Sequence, residues 1–585
     1  MASLQDFLKN LEGVKGDIHA QSALAAEFAL SVRPKQDQEP LRIALDAAAV
    51  LHWFDARLLA KVLELAYKDA RLRFDDLKEF AFVEHYRSEL DLRCNLHEST
   101  RLGWRIKLAR ERPERFRDLS HHASSCFADD PTPRGRIEWI YHLLCGDPEL
   151  AASELEKLDR EWSGARPEDS SALAAALQEL VETKLVDGRA RARSLLAMAW
   201  ARMDWENSVR LAEIAAEALG LARNTNDKSA EADAKGLEGH ALEAQGELTE
   251  AHSAYNEFLT IYQRLAEQDP NNTGWQRELA VAHSRVGDVL AAKGRLVEAQ
   301  VAFDQTLTIF RHLTEQDPSN TGRQQSLARA YGKVGDMLEA QGRLVEAHTA
   351  YKHALRINRR LAEQDPSNAG WQQDLATAHR RVGGVLEAHC RLVEAQATFE
   401  HVMGINRRLA EPDPSNPGWQ QDLATAHNLV GGVLEVQGRL EAAQTAFEQD
   451  LTISRRLAEQ DPSNAGWQQR LALAHNRVGD VLQAQGRLEA AQSAFEQNLA
   501  ISRRLAEPDP SNPGWQQGLA LAYSRVGGVL QAQGGLVEAQ TAFEHALGIN
   551  RHLAELDPSN AGWQQGLATT HNLVGDVLDG AGAAG

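Results

Sequence analysis

The chain has 585 residues, 43% of them hydrophobic, which exceeds what one compact core accommodates and suits an array that grows along one axis. A formal net charge of −20 argues against nucleic acid as a partner, because such binding relies on neutralising phosphates with basic side chains. Cys94, Cys126, Cys145 and Cys390 are spaced too widely for a disulfide framework or a CxxC metal knuckle, and no segment approaches the ~20 apolar residues that span a bilayer.

The opening residues, MASLQDFLKNLEG, have no basic stretch followed by an apolar run, so no secretory leader is expected and a cytoplasmic location is. Residues 1–39 read as a helical segment. Within 40–130, the runs LRIALDAAAVLHWF and DARLLAKVLELA read as a helix pair, followed by a third helix ending at Phe82-Val83-Glu84. A short extended segment then ends at Leu96-His97, an order that predicts a small winged helix. The following stretch carries Arg101, Arg105, Lys107, Arg110, Arg112, Arg115 and Arg117, interrupted by Glu111 and Glu114, and is expected to be an amphipathic, solvated helix. Residues 131–222 read as irregular helical hairpins. Met203-Asp204-Trp205-Glu206, followed by Ser208, Ala212 and Ala215, has the look of a degenerate, shorter repeat.

Residues 223–579 are governed by one period. Gly239, Gly287, Gly335, Gly383, Gly431, Gly479, Gly527 and Gly575 recur every 48 residues, which predicts seven full units and a final half unit before a flexible tail at 580–585. A tryptophan keeps the same period at Trp275, Trp371, Trp419, Trp467, Trp515 and Trp563, with Arg323 where the remaining one is due. In the unit from Asp365 to Glu411, DPSNAG is a connection whose Asp365, Ser367 and Asn368 favour turns or N-caps. Apolar or small residues at Trp371, Leu375, Ala378, Val382, Val385 and Leu386 then predict one helix with a single buried stripe. Leu392, Ala395, Phe399, Val402, Ile405 and Leu409 predict a second. Between them most copies place a glycine suited to a left-handed C-cap, whereas this copy has Cys390 and is expected to hold the most strained turn.

The packing glycine costs about 1 kcal/mol in a helix interior, which close approach of the paired helix and the nearby Phe303 would offset in the unit of Gly287. The doubled glycines Gly383–Gly384, Gly431–Gly432 and Gly527–Gly528 add a penalty for which the pattern supplies no reason.

No catalytic or metal constellation emerges, and no cofactor is expected. His283, His379, His427, His475 and His571 form a ladder, but Tyr331 and Tyr523 replace histidine at two positions, which favours an aromatic packing slot over metal ligation. Cys126 near His121 and His122 reads as a buried thiol, not a nucleophile. The pairs Arg359-Arg360, Arg407-Arg408, Arg455-Arg456 and Arg503-Arg504 stand with the first arginine four residues before Glu363, Glu411, Glu459 and Glu507, so self-paired solvated faces are expected.

Val286-Gly287, Leu290, Gly294, Ala299 and Phe303 resemble the tetratricopeptide repeat, whose final small position is met by Ala354 and Ala546 but not by Thr306. The family unit has 34 residues, so about two extra turns per helix account for the longer period here. In that form the array resembles the extended repeats of kinesin-light-chain-like and bacterial signalling proteins. The 40–130 region is similar to the winged-helix module of bacterial signal-transduction ATPases with repeat sensors, although the chain has no GxxxxGK[ST] phosphate loop.

The resemblance implies an all-α protein: a right-handed α-solenoid of helical hairpins preceded by a mostly helical domain with a small winged helix. It further implies a non-enzymatic scaffold or sensor that binds a protein or peptide in a concave groove lined by the first helices. Carried over by position, the contact residues are Ser284, Arg380, Asn428, Asn476, Ser524 and Asn572, with Asp288, Asp336 and Asp480 after the packing glycine. The alternative is a regulatory subunit of a bacterial signal-transduction or defence system, whose protease or nucleotide-hydrolysing effector is a separate chain docked on the N-terminal third.

Overall fold

The computed structural model describes residues 4–86, 93–162, 167–201 and 207–584, and its backbone is helical apart from one short ribbon. The chain divides into two compact units, Met1–Asp317 and Pro318–Gly585, each described by itself.

In the first unit, helices Leu4–Gly13, Ile18–Ser31, Lys35–Val50, Ala56–Val62 and Tyr67–Leu77 lead into strands Val83–His85 and Cys94–Leu96. The strands pair antiparallel, with Val83 opposite Leu96. Phe54 adds a third extended piece by exchanging backbone hydrogen bonds of 2.7 and 2.8 Å with Cys94. Residues 87–92, within the extended stretch anticipated here, lie outside the described residues, as do Met203–Glu206 of the anticipated degenerate repeat. Helices Glu98–Glu111, Pro113–Phe127, Pro133–Gly146, Pro148–Trp162, Pro167–Glu182, Gly188–Ala201 and Ser208–Asn224 follow. Several open on a proline, whose missing N–H is no loss in a first turn. One apolar core runs through this region from Ala26 to Ala241, taking in Trp104, Tyr141 and Trp162.

The basic helix Glu98–Glu111 is not a solvated surface element. Arg105 is fully buried and donates to Glu179 at 3.0 Å and to the Cys145 sulfur at 3.2 Å. Arg101 also binds Glu179, Lys107 reaches Glu27 at 2.6 Å, and Arg112 reaches Asp46 at 2.7 Å. The carboxylates come from segments up to 80 residues away, so the local pattern gave no sign of them.

The hairpins are regular. Unit one holds Lys228–Ala244 with Leu248–Gln268, and Thr273–Ala292 with Leu296–Gln316. The helix Ser208–Asn224 crosses the anticipated boundary at 222/223, and the turn before Lys228 separates it from the first hairpin. Unit two holds five hairpins, from Thr321–Ala340 with Leu344–Gln364 to Pro513–Ala532 with Leu536–Leu556, and closes with Ala561–Ala584. Helical backbone therefore continues through most of the segment read as a tail.

Each DPSN connection works in the same way. Asp365 accepts from the Ser367 N–H and hydroxyl at 3.0 and 2.6 Å, and Asn368 caps the next helix by accepting from Trp371 N at 3.0 Å. Trp371 is thus the third residue of its helix, and two units on Trp467 packs against the buried cluster of Ala458, Leu471, Ala472 and Ile501. Gln372 and Gln468 reach back to the Ala362 and Ala458 carbonyls at 3.2 and 3.1 Å, satisfying groups near the end of the preceding helix.

The recurrent glycine makes room for a ring. A Cβ at Gly383 would stand 2.4 Å from Phe399, and one at Gly335 only 2.3 Å from Tyr351, with Gly431, Gly479 and Gly527 alike. Gly384, Gly432 and Gly528 face open space, so their helical penalty has no packing return. The turn between helices sets glycine at φ +74° or +75° in Gly342, Gly438 and Gly486. Cys390 occupies the same left-handed region at φ +56°, where a side chain costs about 1–2 kcal/mol.

Candidate functional site

The first helices carry the residues singled out for partner contact, and the structure distributes them unevenly. Arg380 and Asn572 are exposed. Ser284, Asp288, Asp336, Asn428, Asp480 and Ser524 are half-buried, and Asn476 is buried. Asn428 turns inward to donate to Asp450 at 3.2 Å, while Ser524 bonds its own helix at the Ala520 carbonyl. Asn476 donates to Asp480 at 3.1 Å. Only the two exposed side chains stand fully open to a ligand.

Asp336 and Asp480 join successive hairpins of unit two. Asp336 accepts from Arg381 at 2.7 Å and from Tyr351 at 2.8 Å, and Asp480 meets Arg525 at 3.2 Å. Burial pushes both carboxyls up, with the arginines opposing. Arg381 and Arg525 were not singled out in the sequence. The usable signal is that Asp-to-Arg separation is three short of the period in both pairs, the offset of residues facing each other on adjacent first helices. Gln325 and Gln373 make a second set of links, to Asp374 at 2.6 Å and Asp422 at 2.9 Å. Burial likewise raises Glu387 and Glu435, near Arg477, so the first-helix side of unit two is a row of half-buried, opposed charges.

The histidine ladder is a packing slot. His379 meets His401 at 5.2 Å between ring centroids, and Tyr331 and Tyr523 stack on His353 and His545 at 4.9 Å. In the arginine pairs the second members Arg360 and Arg456 donate to Gln324, at 2.8 Å, and to Gln420, while Arg503, a first member, donates to the Tyr523 hydroxyl at 2.8 Å. Cys126 is half-buried, its thiol pushed up by burial and bonded to the His122 carbonyl, the reverse of an activated nucleophile.

Unit one contains a cavity of about 250 Å³, lined by apolar and charged side chains, where the irregular helices meet the first two hairpins. Trp200, Tyr255 and Phe258 give it aromatic walls, and Asp159, Arg193 and Asp233 are among its charges. Arg193, 4% exposed, binds Asp227 at 2.7 Å, Asp233 at 3.0 Å and Glu156 at 3.1 Å. Burial pushes the Asp233 carboxyl up to about 7 and Asp159 up to about 6, against the pull of Arg193 and Arg160. Sequence reasoning missed this cavity because its walls come from segments over a hundred residues apart.

A tetratricopeptide repeat family model matches residues 327–367 and 471–512. Curated protein sequences give no match. Among solved structures, the chain is similar to a signal transduction ATPase with numerous domains that carries a tetratricopeptide repeat sensor, from Pyrococcus horikoshii. The two are 11% identical over 93% of this chain and 67% of that one, with a TM-score of 0.54. It is also similar to BtubC (BKLC) from P. vanneervenii, at 20% identity over 44% of this chain and 92% of that one, TM-score 0.36. The apo form of RapI aligns at 12% identity over 66% and 97%, TM-score 0.40. No helix among the described residues is long and apolar enough to cross a membrane. Capped helical hairpins, an aromatic ring seated on seven of the eight packing glycines, Gly239 to Gly527, and two family-matched segments in phase are what the array shares with tetratricopeptide repeat proteins.

Proposed function

We propose that the chain is a non-enzymatic scaffold or sensor whose first-helix surface binds a protein or peptide partner. The observation that carries this reading is the row of half-buried, opposed charges at recurring positions, with Arg380 exposed beside it. A repeated surface of this kind gains affinity by engaging several positions at once. Arginine and asparagine can clamp the carbonyls of an extended peptide, and the aspartates would favour basic groups on it.

A second reading has a specific observation in its favour. The similarity to a signal-transduction ATPase with a repeat sensor spans 93% of this chain and so takes in the front region as well. Helix Lys35–Val50, the Phe54 bridge, helices Ala56–Val62 and Tyr67–Leu77, and the two-stranded ribbon follow the order of a winged helix. On this reading the array senses, and the front region docks a catalytic effector supplied by another chain.

The test is affinity capture from native lysate with the full chain beside a full-length Arg380→Glu, Asn572→Asp variant. The scaffold reading predicts a captured protein that the variant loses by at least tenfold. Equal recovery by both, with loss only when front-region surface residues are changed, moves the receptor to the front region.

A further inference from the structure

Three side chains far apart in sequence converge inside the front region. His52 sits in the turn between helix Lys35–Val50 and the Phe54 bridge, while Glu138 and His142 lie one turn apart on Pro133–Gly146 and share a face. His52 Nδ1 is 2.8 Å from Glu138 Oε2, and His142 Nε2 is 3.5 Å from the same oxygen. One ligand atom from each residue lies within 4.8 Å of the others.

An ordinary buried Glu–His hydrogen bond accounts for His52 and Glu138 but leaves His142 unexplained. Its side chain is fully buried; Nδ1 has no hydrogen-bond partner, and Nε2 has only the long 3.5 Å contact with Glu138. A neutral imidazole carries one N–H and one lone pair, and leaving a buried polar group unsatisfied costs about 1–3 kcal/mol. With the proton on Nδ1, the Nε2 lone pair would face the Glu138 carboxylate and the His52 ring, an arrangement that a cation among the three would satisfy.

We propose that His52, Glu138 and His142 bind a divalent first-row transition ion, zinc by preference. Two imidazole nitrogens and a carboxylate are a borderline-soft donor set suited to zinc. Ligand bonds of about 2.0–2.2 Å in a tetrahedron hold donor atoms roughly 3.3 Å apart. The His52–Glu138 contact would therefore lengthen by about half an ångström and the two imidazoles would draw together around the ion. The neighbouring positive charge is already matched, since Glu179 takes Arg105 and Arg101. His52 and Glu138 also line a cleft with Tyr86, Asn95 and Arg134, which offers an entry path and leaves the fourth position to water or an anionic group.

The test is zinc titration by calorimetry on the full chain, made without a polyhistidine tag and stripped with chelator. The expected result is one site per chain at least tenfold tighter than any other histidine site, with a thermal midpoint that rises with added zinc. His52 is partly exposed, so His52→Gln is the variant of choice, and it should lose that one site while His121→Gln retains it. A wild-type chain with no such site and a midpoint unmoved by excess zinc overturns the proposal. So does a His52→Gln chain that binds zinc as tightly as wild type.

Discussion

The front region and the hairpins of unit two bury different kinds of group. In front, charges go inside: Arg105 and Asp46 are fully buried and Arg193 nearly so, each held by carboxylates or donors from distant segments. In unit two the buried inventory is mostly alanine, valine and leucine with one ring per hairpin, and the hydrogen bonds of its few buried polar side chains, Asp450 among them, run over short separations. Asn358, Asn406 and Asn550, for example, each donate to a carbonyl sixteen residues on. Breaking one contact in front should therefore disturb a whole network, whereas breaking one in the array should stay near its own hairpin.

The largest effect tests the front. Arg193→Leu removes the cation shared by Asp227, Asp233 and Glu156, leaving carboxylates buried without it, a loss of about 3–5 kcal/mol. Denaturant unfolding followed by tryptophan fluorescence should show the first transition moving sharply to lower denaturant. A shift under about 1 kcal/mol would mean that water already serves those carboxylates.

Next in size, Gly383→Ala forces a Cβ to 2.4 Å from the Phe399 ring. Overpacking costs about 1–3 kcal/mol, less the roughly 1 kcal/mol gained in helix propensity. Hydrogen exchange should rise in Ala369–Ala388 and Leu392–Ala410 and leave residues 98–162 unchanged. Loss of protection across the front as well would break the contrast between the two regions.

Its neighbour sharpens the same point with the opposite sign. Gly384→Ala places its Cβ in open space and should stabilise the array by up to about 1 kcal/mol, read as a higher thermal midpoint. A fall would reveal a partner for that position.

The smallest effect is a pH dependence. Burial pushes His379 and His475 down to about 4, with nearby His401 and Arg359, or Arg455, adding to it. The fold thus favours neutral rings, and the unfolded chain takes up protons first as pH falls. Stability from these residues is complete above about 6.5 and is lost as pH drops from there towards 4. The double variant His379→Gln, His475→Gln should flatten the midpoint-versus-pH curve in that window, and an unchanged slope would count against the burial.

The contrast also explains what the sequence made legible. Gly383 and Phe399 are sixteen residues apart and recur together, so one unit's contact could be read and then repeated, and the aromatic slot of Tyr331 and Tyr523 followed in the same way. Asn428 looked open because its partner Asp450 stands on the next helix, 22 residues on, whereas Asp480 lies one turn from Asn476 and that pairing was legible. In front, Arg101 and Arg105 read as a solvated stripe because their partner Glu179 lies more than seventy residues away. His52, Glu138 and His142 were hidden by the same long separations.

The most direct test of the account is hydrogen exchange on the full chain with and without its captured partner. The account predicts added protection concentrated in the first helices of unit two, around Arg380, Asn428 and Ser524. Protection confined to residues 35–162, with those helices unchanged, would contradict it.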